Sequence, residues 1–142
     1  PAGLVAGRED LLGRWPAGVQ TSTFQLHPVA AATGAAFLDT LVAEDLVARA
    51  REIGTWCAAA LSPLAQPHAV TAIRGEGAFS VVEIESQAET LRLRRRALDA
   101  GLLTWECGEE GTCIGLVPPL IAEPHHIRQA ATILAGALEP SL

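Results

Sequence analysis

An α+β fold is predicted by a change of period along the chain and by how closely its strand candidates follow one another. Apolar residues recur at helical spacing from Pro28 to about Leu61, after which the pattern shortens to strand-like alternation broken by Gly and Pro. Four strand candidates are crowded into the second half of the chain with a single helix among them. That spacing leaves no room for the crossover helices of a doubly wound parallel sheet. A short, mostly antiparallel sheet covered by helices is expected.

The elements follow in order. Residues 3–6 read as a short strand and residues 9–15 as a brief helix, closed by Pro16 and Gly18. Residues 20–24 are polar and extended. Pro28 suits the first turn of a helix, because its φ is already fixed and its missing N–H is not needed there. Val29, Ala32, Ala36, Phe37 and Leu41, then Leu46, Ile53, Trp56 and Leu61, make one apolar face for two helices or one bent helix. Pro63 and Pro67 end it.

Residues 70–73 and 78–84 read as strands around Gly75-Glu76-Gly77. Residues 87–100 form a helix with Ala88, Leu91 and Leu98 inward, Arg92, Arg95 and Arg96 mostly outward, and Gly101 as its stop. Residues 102–107 and 112–117 flank Gly108-Glu109-Glu110-Gly111 as a hairpin-like pair. Pro118-Pro119 breaks the second of these, and Glu123-Pro124 opens a last helix that runs to about Leu138.

Composition narrows the function classes. The chain has 142 residues, 49% of them hydrophobic and 18% charged, with a net charge of −6. It is apolar enough to bury a core, and its acidity argues against a nucleic-acid platform. No run of residues is long and apolar enough to span a membrane. Three Cys without a CxxC pair exclude a disulfide scaffold and fit a reducing, cytoplasmic setting. The chain contains no Lys, Met, Tyr or Asn. Starting at Pro1 without any Met, it reads as a piece of a longer protein.

Most candidate sites yield to plainer readings. Gly75-Glu76-Gly77 leads into a strand, whereas a phosphate-cradling loop needs a helix N-terminus behind its glycines. Cys107 and Cys113 bracket a turn and can face each other, but a zinc site needs further ligands. His125-His126 lacks the i, i+4 spacing of a metal pair and reads as a surface pair at a helix start. Arg92, Arg94, Arg95 and Arg96 spread around a helix with Glu85 and Glu89 nearby, as a solvated face would. One segment keeps an anion-binding reading beside a capping one. Thr21-Ser22-Thr23 places hydroxyls just ahead of the helix that Pro28 opens.

Here the residues resemble a known family. Ser22-Thr23-Phe24, followed by Pro28, is similar to the "STF-GGNP" loop of the class-III pyridoxal-phosphate-dependent aminotransferases, the ornithine, 4-aminobutyrate and diaminobutyrate enzymes among them. Pro1-Ala2-Gly3 to Gly7-Arg8 is similar to the "P-x-G-x-x-x-G-R" strand that follows that family's cofactor lysine. Glu44-Asp45-Leu46 with Ala50-Arg51-Glu52-Ile53-Gly54 matches its long helix. Ile73-Arg74-Gly75-Glu76-Gly77 with Val82-Glu83-Ile84 is similar to "VRGRG…GIEL". Ala97-Leu98-Asp99-Ala100-Gly101-Leu102-Leu103 and Leu116-Val117-Pro118-Pro119-Leu120 resemble "ALEAGLL" and "RLLPPL". Each motif is short; their shared order along nearly the whole chain carries the resemblance.

The resemblance implies the C-terminal portion of a fold-type-I enzyme. Residues 1–27 would be a remnant of the large cofactor domain, and residues 28–142 a linking helix and the C-terminal small domain. It implies pyridoxal 5'-phosphate as cofactor, a homodimer with active sites at the subunit interface, and small-molecule substrates: an amine or amino-acid donor and a carbonyl acceptor. Neither nucleic acid nor membrane is expected as a partner, given the net charge of −6 and the absence of a long apolar run. The family's loop threonine reaches the cofactor phosphate of the neighbouring subunit, which assigns that role to Thr23 with Ser22 beside it. The Schiff-base lysine is expected upstream of Pro1, so no catalytic residue is assigned within the chain, which is expected to be inactive alone.

The chain departs from the family pattern in two places. Gln25-Leu26-His27 replaces "GGN", and Gly115 stands where many members carry the arginine that grips a substrate carboxylate. No Arg lies between Arg96 and Arg128 to replace it. The substrate could then lack a carboxylate there, be bulky, or be held by residues upstream of Pro1. Racemase, aminomutase and decarboxylase activities share the scaffold. The alternative from another class is a non-catalytic small domain, or split half, that dimerises or binds a partner.

Overall fold

In the computed structural model, which describes residues 3, 5–16, 18–19, 23, 27–65 and 69–139, the chain forms two units, Pro1–Glu44 and Asp45–Leu142. In the first unit, Arg8 precedes a one-turn helix, α1 (Glu9–Leu12), and its guanidinium grips Asp10 through two hydrogen bonds of 2.9 and 2.6 Å. The helix stops well short of residue 15, at Gly13. Val5 and Ala6 are not in a strand as expected, and Leu4 lies outside the described residues. Pro28 opens α2 (Pro28–Ala43) at the predicted position. None of the residues of α2 is buried, and Val29, Phe37, Leu38 and Val42 are exposed. The apolar face read from its spacing exists but finds no core among the described residues of this unit.

The second unit holds the core. Asp45, in the left-handed region at φ 49°, separates α2 from α3 (Leu46–Leu61), so the expected pair of helices is two helices rather than one bent one. Pro63 falls in the 3-10 turn Ser62–Ala65 that closes α3. Strands β1 (Val70–Glu76) and β2 (Phe79–Ile84) then pair antiparallel. The turn is Gly77-Ala78 rather than the predicted residues 75–77. Gly77 takes φ +54° at the first loop position, as a type II′ hairpin requires.

Helix α4 (Gln87–Asp99) follows, then β3 (Trp105–Cys107), β4 (Cys113–Leu116) and α5 (Pro124–Leu138). The sheet runs β1-β2-β4-β3, antiparallel throughout. This is the α+β arrangement the sequence predicts, with a small antiparallel sheet and covering helices.

Helix packing fixes the faces. Val82, Ile84, Ile114 and Leu116 alternate onto one side of the sheet and join Ile53 and Leu61 of α3, Leu93 of α4 and Leu134 of α5. α4 is rotated relative to the sequence reading: Thr90, Leu93 and Ala97 are buried, whereas Ala88, Leu91 and Leu98 are exposed. Thr90 tolerates burial because its hydroxyl donates to the Ser86 carbonyl at 3.0 Å. Arg96 reaches across to the C-terminal end of α5 and donates to the Ala137 and Glu139 carbonyls at 3.1 and 2.7 Å. A cation there satisfies carbonyls that the helix leaves unpaired.

At the other end of α5, Glu123 and His126 form a reciprocal cap. The Glu123 N–H donates to His126 Nδ1 at 3.0 Å, and the Glu123 side chain accepts from the His126 N–H. His125 and His126 are an exposed pair at a helix start, as expected. Arg49 of α3 ties into that corner, donating to Glu123 and to the Ala122 carbonyl while lying over the Trp56 ring.

Candidate functional site

The sheet has a second face, formed by the residues that alternate away from the helical core. Register places Arg74, Val81, Gly115 and Trp105 in one row across the four strands. The next row on the same face is Ala72, Glu83, Cys113 and Cys107. Residues two apart share a face of a strand, so the two rows form one surface.

Gly115 sits in the middle of that surface, and the Trp105 indole covers it. A Cβ built on Gly115 would meet Cε2, Cζ2 and Nε1 of Trp105 at 2.5, 2.7 and 3.0 Å. The backbone of β4 therefore tolerates only glycine while the indole keeps this position. Phe79 of β2 stacks against Trp105, with ring centroids 6.0 Å apart and planes inclined by 18°. Offset aromatic pairs of this kind contribute about 0.5–1.5 kcal/mol beyond the area they bury. Val81, between Arg74 and Gly115 in the same row, is buried, while Phe79 and Trp105 remain exposed. The result is an aromatic wall with an apolar floor.

The other end of the surface is charged. Arg74 pairs with Glu83 across β1 and β2, and its Nη2 lies 3.8 Å from the Cys113 sulfur. Arg74 is the guanidinium of this face, and its distance from Gly115 in sequence hides the proximity that strand register creates. The residue shares a row with Gly115, but its fork is already engaged by Glu83. A carboxylate arriving at Gly115 would meet an indole edge and a guanidinium that has a partner.

Thr23 belongs to the first unit and Gly115 to the second. Thr23 is exposed in a turn, four residues before His27, which precedes α2 without capping it through its side chain. Ser22, Phe24, Gln25 and Leu26 lie outside the described residues. Among the described residues, no cluster of His, Cys, Asp and Glu could hold a metal ion, and no helix is long and apolar enough to cross a membrane.

Both units fall within one family match. The model of the class-III aminotransferases matches residues 1–138. The chain is 32% identical over 142 residues to an ornithine aminotransferase of Exiguobacterium sp., covering 99% of this chain and 34% of that protein. It is 35% identical over 138 residues to the acetylornithine aminotransferase of Gloeobacter violaceus, covering 96% and 34%. The chain thus spans about a third of the length of the curated relatives it matches. Among solved structures, it is similar to an amine transaminase from an uncultivated Pseudomonas species in its PLP-bound form. That match has 26% identity and a TM-score of 0.72, over 86% of this chain and 30% of that one. A thermostable omega transaminase engineered for asymmetric synthesis of bulky amines matches 92% of this chain at 25% identity, with a TM-score of 0.74.

Proposed function

The chain belongs to the class-III aminotransferase family, and from that premise we propose that the full-length protein transfers an amino group from an amine lacking a carboxylate at the donor carbon to a carbonyl acceptor. The observation that carries the donor class is the Trp105 indole lying over Gly115, where the family's carboxylate-gripping arginine would project. An arginine fork rewards a carboxylate through paired hydrogen bonds. An indole rewards an apolar substituent and leaves a carboxylate desolvated without a partner.

Pyridoxal phosphate, the cofactor of this reading, supplies the electron sink for moving the amino group. This chain offers the hydroxyl of Thr23 for its phosphate, exposed and ahead of α2. It offers no amine for covalent attachment, because none of its 142 residues is lysine. The donor set fits the phosphate end of the cofactor and not its aldehyde, so no covalent step is assigned to these residues. Their work is to hold the phosphate (Thr23, with Ser22 beside it), to face the substrate with an apolar wall (Trp105, Phe79) and to keep a charge pair at its edge (Arg74, Glu83).

A homodimer is part of the same proposal. The exposed Phe37, Leu38 and Val42 on α2 are the kind of apolar surface that associating chains cover. Residues 1–27 are assigned to the large domain of each subunit and residues 28–142 to its linking helix and small domain.

The test of the cofactor assignment is Thr23→Ala in the full-length protein. Loss of one hydrogen bond to a charged phosphate weakens cofactor retention by about 1–3 kcal/mol, equally for every substrate, as followed by equilibrium dialysis. A variant that keeps its cofactor affinity and instead reorders its substrates would place this loop on the substrate.

A further inference from the structure

Cys107 and Cys113 stand directly opposite each other on β3 and β4, on the same face as Trp105 and Gly115. Both are free thiols. Directly opposed residues of an antiparallel pair have Cα atoms roughly 4.5–5.5 Å apart, inside the range that a disulfide spans. The two sulfurs differ in access: Cys113 is 3% exposed, whereas Cys107 is only half-buried. Gly108, at φ +84°, leaves room beside the inner sulfur, since a Cβ there would stand 3.0 Å from Cys113 Sγ. Arg74 Nη2 approaches the same sulfur at 3.8 Å, a cation placed where a thiolate would form. Burial and the neighbouring Cys113 push the Cys107 thiol up, and Arg74 pulls it partly back.

We propose that Cys107 and Cys113 form a dithiol site that closes to a cross-strand disulfide by exchange with a small-molecule disulfide, Cys107 being the attacking and Cys113 the resolving sulfur. The Cys107 thiolate attacks one sulfur of R–S–S–R; that S–S bond breaks, one RS⁻ leaves, and Cys107 carries the mixed disulfide. The Cys113 thiolate then attacks Cys107 Sγ, the mixed S–S bond breaks, and the second RS⁻ leaves. The two protons given up by the protein thiols end on the two released thiols, so the protein loses two electrons and the reagent gains them. Burial sets the order, because a bulky disulfide reaches Cys107 before Cys113. Neither sulfur takes part in the aminotransfer reading, although Arg74 borders both sites, and the chemistry differs. It would lock the hairpin that carries Trp105 and Gly115.

Oxidised glutathione is the probe, applied to the folded full-length protein. After acid quench, remaining thiols are alkylated in denaturant and the protein is cut after Arg. Cys107 and Cys113 then share the peptide spanning residues 97–128, while Cys57 lies in the peptide spanning 52–74. The expected result is a 97–128 peptide lighter by two hydrogens and unalkylated, with Cys57 alkylated. Cys113→Ser should instead accumulate glutathione on Cys107, and Cys107→Ser should acquire it more slowly on Cys113. Wild-type protein that retains glutathione in this peptide without closing, or whose two sulfurs are both alkylated after treatment, would overturn the proposal without touching the aminotransfer reading.

Discussion

The Trp105 indole lies against Gly115 on the neighbouring strand, so close that any side chain at position 115 must displace it. This relationship makes an arginine at 115 and the indole of 105 alternatives for one volume. Gly115→Arg alone should therefore destabilise the protein by about 1–3 kcal/mol through overpacking, read by denaturant unfolding. Trp105→Ala should relieve that cost in the double variant. A carboxylate-bearing donor should gain in kcat/KM only when the arginine enters a site already emptied of the indole. If the single Gly115→Arg variant is as stable as wild type, the close approach of the two strands is not the constraint described.

A second close approach supports the core. Gly54 of α3 packs against the backbone of the β1–β2 turn, where a Cβ would collide with the Gly77 carbonyl. Backbone on both sides leaves little to give. Gly54→Ala should cost on the order of 2 kcal/mol, although alanine is ordinarily the better helix former by about 1 kcal/mol. A lowered denaturation midpoint would agree. A raised one would mean that helix propensity wins over the contact and that α3 can lift from the turn.

Cys57 gives a pH signature. Burial raises its thiol, and a hydrogen bond with Ser80 only partly offsets this. An acid whose folded-state pKa is raised keeps its proton in the folded state after the unfolded chain has lost it. Its contribution is constant below the unfolded thiol's pKa and declines as pH rises through and above it. Unfolding free energy should fall in the alkaline range, and Cys57→Val should flatten that fall. Equal alkaline slopes in the two proteins would remove Cys57 as the cause.

Much of the fold was legible because its signals are local. Pro28, Pro63 and Glu123-Pro124 mark helix boundaries through their own geometry, and the shift to alternating apolar residues announces the strands. The face of α4 was not legible. Leu91 and Leu98 make a stripe as apolar as that of Leu93 and Ala97, and only tertiary packing chooses between them. The short α1 illustrates the opposite error, since its pattern extends to residue 15 but none of its residues is buried and burial does not reward an extra turn.

The candidate site was legible in the same uneven way. Gly115 was marked by its motif, but Trp105, Phe79 and Arg74 reach it through register across strands that are distant in sequence. Only the alternation shared by Trp105 and Cys107 hinted that the indole and the thiol occupy one face. The loop containing Thr23 rests on its motif alone.

The most direct test of the proposed function compares two donors that differ only in the carboxylate. With purified full-length protein, pyridoxal phosphate and one carbonyl acceptor, kcat/KM is measured for butylamine and for its α-carboxylated counterpart, norvaline, by quantifying the aminated acceptor. The indole over Gly115 predicts turnover with butylamine as the preferred donor. Equal or better use of norvaline would show that a carboxylate is gripped elsewhere, and absence of aminated product from any donor would contradict the transaminase assignment itself.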